Sequence, residues 1–72
     1  MVIDKIARAF AAIEWVSTII HNTIHETIRQ AGANPAEVFA GLYLATVSQT
    51  RGPRLGYLFE SIGREQVLRL LA

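Results

Sequence analysis

The sequence contains no cysteine, only two prolines, one tryptophan and one methionine, and almost no net charge. Without cysteine, disulfides, thiolate metal sites and thiol catalysis are excluded. A net charge of +1 argues against a general nucleic-acid binder, which would carry a strongly basic face. The longest uncharged stretch, residues 38–50, is too short for the roughly 20 residues that a membrane span needs. We therefore predict a cytoplasmic protein without a membrane span.

Apolar residues are plentiful in spite of these absences. They make up 51% of the 72 residues, far more than a disordered segment carries. A chain of this length buries only about 60% of its unfolded surface and is marginally stable without a disulfide or a metal. Small apolar domains of this kind often stabilise themselves by oligomerising. The composition thus predicts a single domain over residues 1–72 that forms a homo-oligomer, most simply a dimer.

Glycine and proline divide the chain into four predicted helices, and the fold class is therefore all-α. The first is long because residues 2–31 contain neither residue. Gly32 suits a helix end, and Asn34 and Pro35 suit the cap and first turn of a second helix over 35–49. Gly52 and Pro53 precede a third helix over 53–62. The apolar stripe changes direction at Gly63, so a fourth helix is predicted over 64–71.

The first predicted helix has a continuous apolar stripe at steps of three and four residues, which favours helix over strand. The stripe consists of Ile3, Ile6, Phe10, Ile13, Ser17, Ile20, Ile24, Ile28 and Ala31. Thirty helical residues span about 45 Å, whereas a domain of this size is roughly 30 Å across. The helix must therefore bend or be covered by another chain. We expect the second, with the first two helices forming an antiparallel hairpin that dimerisation completes as a bundle.

Catalytic and cofactor sites are not predicted. His21 and His25 lie one helical turn apart and could chelate a metal, but no third ligand follows on that face. Gly52–Gly56 resembles a phosphate loop only superficially, because Pro53 lacks the N–H donor such a loop needs. The arginines of the last third could belong to a helix-turn-helix, but the predicted recognition helix has few side chains that read base edges. We therefore predict no catalytic residue, no bound metal and no cofactor.

The residues most suited to an interface are a tryptophan on the polar face of helix one and small residues on helix two. Large aromatics with small neighbours commonly anchor interfaces. The predicted partner or oligomer interface comprises Ala11, Trp15, Ile19, Phe39, Gly41, Tyr43 and Ala45. The sequence thus predicts a non-enzymatic regulator, adaptor or inhibitor that binds another protein. Two alternatives stay open: a dimeric helix-turn-helix nucleic-acid-binding regulator, and a metal-binding oligomer through His21 and His25.

Overall fold

The computed structural model describes residues 2–72 and is all-helical over this range, which confirms the predicted fold class. The predicted single domain over 1–72 also includes Met1, which lies outside the described residues. No helix in the described part of the chain is long and apolar enough to cross a membrane. The five helices are α1 Val2–Phe10, α2 Ser17–Ala31, α3 Pro35–Val47, α4 Leu55–Ile62 and α5 Arg64–Leu71.

The prediction of one unbroken helix over residues 2–31 is wrong. α1 ends at Phe10, the chain leaves the helical conformation over residues 11–16, and α2 begins at Ser17. Val16 is extended, with φ −127° and ψ 149°. The chain folds back here, so that the Trp15 ring meets Phe10 at 5.1 Å between centroids. The fold measures 27 × 26 × 21 Å. No helix therefore extends beyond the domain, and the argument that a second chain must cover such an extension no longer applies.

The core is formed where all five helices meet, with α2 lying against α1, α3 and α4. Its side chains are aliphatic apart from two phenylalanines, whose rings meet edge to face at 5.9 Å. The buried set is Ile6, Phe10, Ile20, Ile24, Ile28, Val38, Leu42, Leu55, Phe59, Val67 and Leu71. No polar or charged residue is buried among residues 2–72, so burial of apolar surface stabilises the fold.

The turn between α2 and α3 follows the sequence closely. Gly32 takes a left-handed conformation with φ 65°, and its N–H donates to the Arg29 carbonyl at 3.2 Å. Glycine adopts this conformation at no steric cost. The Asn34 side chain then accepts from the Glu37 N–H at 3.2 Å, which satisfies one of the free donors at the start of α3. α3 ends at Val47, two residues before its predicted end.

α4 and α5 meet at Gly63, as predicted. Gly63 has φ 96°, and its N–H donates to the Phe59 carbonyl at 2.9 Å. α4 begins at Leu55, two residues later than predicted, because the preceding loop is extended. The Tyr43 hydroxyl holds this loop against α3 by donating to the Pro53 carbonyl at 2.6 Å.

Candidate functional site

Trp15, predicted as the anchor of an interface, makes its contacts within the chain. Its ring packs edge to face on Phe10, and its indole N–H donates to the Phe59 carbonyl at 3.0 Å. The Arg64 guanidinium lies 5.5 Å from the ring centroid, and its Nη2 donates to the Ile13 carbonyl. The ring therefore joins the α1–α2 turn to α4 and α5. The sequence-based prediction placed Trp15 on an exposed face because one continuous helix over residues 2–31 was expected.

The other six predicted interface residues have different surroundings. Gly41 faces α1, where an added Cβ would lie 3.1 Å from Ile3 Cδ1. Tyr43 is bonded to the loop before α4, and Ala45 packs on the core. Phe39 lies beside His25 at 5.2 Å between ring centroids. Ala11 is exposed and Ile19 is half-buried on the other side of α2. Self-association through these residues stays a prediction, although the overlong helix no longer supports it.

The histidine pair lies on the exposed side of α2. The ring centroids of His21 and His25 are 4.3 Å apart. Among residues 2–72 there is no group of three or more histidines, cysteines or carboxylates that could hold a metal ion. His21 also lines a cleft beside α4, whereas His25 lies against Phe39 of α3.

A cleft of about 160 Å³ lies between the first turns of α2 and the start of α4. We call it the α2–α4 cleft. Its lining residues carry two rings, three hydroxyls and one guanidinium. Its lining residues are Ser17, Thr18, His21, Arg54, Gly56 and Tyr57.

Close packing of the two helices forms the floor of this cleft. Gly56 is buried, and a Cβ built on it would lie 2.6 Å from the Ser17 carbonyl oxygen and 3.3 Å from His21 Cβ. The Ser17 N–H donates to the Glu60 carboxylate at 2.9 Å. Since Val16 offers no side-chain cap, Glu60 satisfies a free donor of α2 and places negative charge at its positive end.

Arg54 is the cation of the cleft, and it is not paired as three of the other arginines are. Arg29 and Arg69 are paired with carboxylates at 2.5 Å and 2.7 Å, and Arg64 is held against Trp15. In the described part of the chain no carboxylate lies within 4.0 Å of the Arg54 guanidinium. An exposed, unneutralised guanidinium beside two rings complements a planar ligand with negative charge.

A larger and more open groove, of about 630 Å³, lies at the other end of α2. Its charged groups already neutralise each other. The Arg29 guanidinium donates to Glu26, and this hydrogen bond holds the pKa of the Glu26 carboxyl below its ordinary value. The same contact raises the pKa of Arg29. The α2–α4 cleft is therefore the better candidate for binding a charged ligand.

This cleft was not predicted from the sequence. Gly56 was considered only as part of a possible phosphate loop, and Arg54 only as one of the arginines of the last third. One signal was present, because a glycine inside a helix often marks the close approach of another backbone. Gly56 approaches the backbone of Ser17. This contact could not be predicted, because Ser17 was expected in the middle of one continuous helix.

The chain is similar to lysine–tRNA ligases. It is 37% identical to the enzyme of Picrophilus torridus over 57 residues, which are 79% of this chain and 11% of that protein. It is 30% identical to the enzyme of Thermoplasma volcanium over 64 residues, 89% of this chain and 13% of that protein. For the enzyme of Methanocaldococcus jannaschii the identity is 27% over 67 residues, 93% of this chain and 13% of that protein. The chain thus spans little more than a tenth of the length of these curated relatives.

Two other comparisons give no match: no protein-family model and no solved structure resembles the chain. The ligase relatives nevertheless overturn the predicted function. The predictions of a non-enzymatic regulator, adaptor or inhibitor, and of the two alternatives to it, are wrong, because the relatives are enzymes that act on tRNA. Composition could not indicate this, since a short helical sequence need not contain catalytic residues even when its relatives are enzymes.

Proposed function

We propose that this chain forms a helical unit of a lysine–tRNA ligase and contributes to tRNA binding. The observation that carries the proposal is the similarity to these ligases over 79–93% of the chain. Matches that run through most of the five helices, and not through one short motif, favour a shared structural unit. A cytoplasmic location, predicted from the sequence, fits a role in charging tRNA.

Binding of tRNA suits the groups that the described residues bring together. These residues form a cleft with an unneutralised arginine, two rings and three hydroxyls. Cations and stacking rings are the groups that proteins use to hold RNA.

A segment exchange in a relative tests the proposal. In the Picrophilus torridus ligase, the segment aligned with this chain would be replaced by the chain itself, and the initial rate of lysine transfer to tRNA measured. We expect the chimera to retain charging activity, and a deletion of the same segment to raise the KM for tRNA more than the KM for lysine. A chimera that folds, judged by circular dichroism, but charges no tRNA would contradict the proposal.

A further inference from the structure

We infer that the α2–α4 cleft binds an unpaired nucleotide of RNA, with the base against the rings of Tyr57 and His21 and the phosphate near Arg54. This inference rests on the proposed function and gives it a location in the fold. The expected ligand is single-stranded RNA, because the bases of a duplex are stacked on one another and their faces are not free.

The first argument is the exposure of Tyr57. The chain has two tyrosines, and they are used differently. Tyr43 is fixed by its hydroxyl to the Pro53 carbonyl, whereas Tyr57 is 62% exposed on the outer side of α4. A largely exposed aromatic ring beside a cleft is a surface on which a base can stack. Base stacking on aromatic rings is a main sequence-independent contact of proteins with single-stranded RNA.

A second ring lies on the opposite helix. His21 lines the same cleft from α2, and its ring contacts that of His25 at 4.3 Å between centroids. His25 is in turn supported by Phe39 at 5.2 Å. A ligand that stacks on His21 would therefore meet a ring that already packs against a neighbouring ring.

The charges around the cleft favour a phosphate on one side only. Arg54 immediately precedes α4 and has no carboxylate within 4.0 Å among residues 2–72. The carboxylate that touches the cleft wall is that of Glu60, and it accepts the Ser17 N–H at 2.9 Å. Its charge is therefore directed at the positive end of α2. A nucleotide would be attracted to the Arg54 side and repelled from the Glu60 side, which orients it.

Fluorescence anisotropy with labelled RNA tests the inference. The probes are a lysine tRNA transcript, a single-stranded oligonucleotide without internal pairing, and a blunt duplex of the same sequence. We expect the full 72-residue chain to bind the single strand more tightly than the duplex. Tyr57→Ala should weaken single-strand binding about 5- to 150-fold, the range for loss of one base stack. Tyr57→Phe keeps the ring and should stay within about threefold of the unmodified chain.

The other members of the cleft give independent readouts. His21→Ala should also weaken binding, and Arg54→Gln should reduce the slope of log affinity against log salt by about 0.7, the value for one phosphate of a single strand. Leu44→Ala and Arg69→Gln are matched controls. Leu44 is 51% exposed on α3 and the Arg69 side chain is 68% exposed on α5, and neither lines the cleft. Both variants should bind like the unmodified chain.

The outcomes separate the cleft from the proposed function. If the chain binds tRNA and neither Tyr57→Ala nor His21→Ala changes the affinity, the cleft is not the site, while the proposed function stands. Tyr57→Phe as weak as Tyr57→Ala would also overturn the inference, because the hydroxyl and not the ring would be responsible. Tighter binding of the duplex would do the same. If the chain binds no RNA, the cleft inference is rejected, and the segment exchange decides the proposed function.

Discussion

Gly56 of α4 lies so close to Ser17 of α2 that a Cβ on the glycine would be 2.6 Å from the Ser17 carbonyl oxygen. Gly56 lies in the first turn of α4, where a glycine costs at most about 1 kcal/mol relative to alanine, and packing at the close approach offsets this cost. It brings Leu55 and Phe59, both buried, onto the apolar face of α2. It also sets the width of the α2–α4 cleft.

Gly56→Ala should therefore destabilise the fold. Any gain in helix propensity is about 1 kcal/mol, whereas separating two packed backbones typically costs 1–3 kcal/mol or more. We expect a net loss of about 1–2 kcal/mol in the free energy of unfolding, measured by urea denaturation followed by circular dichroism.

Gly41→Ala is the matched control, because Gly41 is also inside a helix. Its added Cβ would meet Ile3 Cδ1 at 3.1 Å, the end of a flexible and partly exposed side chain that can move aside. Gly41→Ala should be neutral or stabilising by up to about 1 kcal/mol. Equal losses from both variants would show that close backbone approach is not the special property of Gly56.

Glu60 should act as the cap of α2. Glu60→Gln keeps an acceptor for the Ser17 N–H and removes the charge, so we expect a loss of about 0.3–1 kcal/mol. Glu60→Ala removes both and should cost about 1–2 kcal/mol. Glu65→Gln, which breaks an exposed pair with Arg69 on α5, should cost no more than about 0.5 kcal/mol. Thermal unfolding of the three variants gives the comparison, and a Glu60→Ala variant as stable as Glu65→Gln would contradict the capping role.

Trp15 should contribute to folding mainly through its ring. Trp15→Phe keeps most of the contact with Phe10 and loses the indole donor. Because the Phe59 carbonyl also accepts from the Gly63 N–H at 2.9 Å, it stays satisfied, and the loss should be only about 0.5–1.5 kcal/mol. Trp15→Ala should cost about 2–4 kcal/mol, since the ring is half-buried. Circular dichroism in urea is the measurement, because the chain has a single tryptophan.

The size of the difference matters for the interpretation of Trp15. If the ring were only an exposed anchor for another protein, Trp15→Ala would change stability by no more than about 0.5 kcal/mol. Tyr57→Ala is the control, since Tyr57 is 62% exposed and should lie within that limit. Equal stabilities of these two variants would restore the interface interpretation.

Local signals in the sequence predicted the helix ends well where one residue determines them. Asn34, Pro35 and Gly63 act through their own dihedral angles or through a bond to the next turn, so no knowledge of the rest of the fold is needed. The all-α class followed for the same reason, because three- and four-residue apolar steps are local.

The break after Phe10 could not be predicted in this way. Residues 11–16 contain no glycine or proline, and the periodicity continues through them. The break is favoured by contacts between distant residues, such as the bond from Trp15 to Phe59, 44 positions away. The candidate cleft depends on the same break, because Ser17 and Glu60 are brought together only when α2 starts a new direction. Tertiary contacts here outweigh the local pattern.

The pair formed by Glu26 and Arg29 should titrate in a defined direction. The hydrogen bond and charge of Arg29 lower the pKa of Glu26 from 4.5, so the folded state binds this proton less readily than the unfolded state does. The pair's contribution to stability is thus complete above the unfolded pKa and is lost as the pH falls through the folded pKa. Arg29→Gln should raise the pKa of Glu26, because the cation is gone while the bond from Gln30 can remain.

Carboxyl chemical shifts measured by NMR from pH 2 to pH 7 would detect the change in the pKa of Glu26, and Arg69→Gln should leave that pKa unaffected. Because both side chains are exposed, added salt should reduce the difference between Arg29→Gln and the unmodified chain. An Arg29→Gln titration curve that superimposes on the unmodified one would show that the pair does not persist in solution.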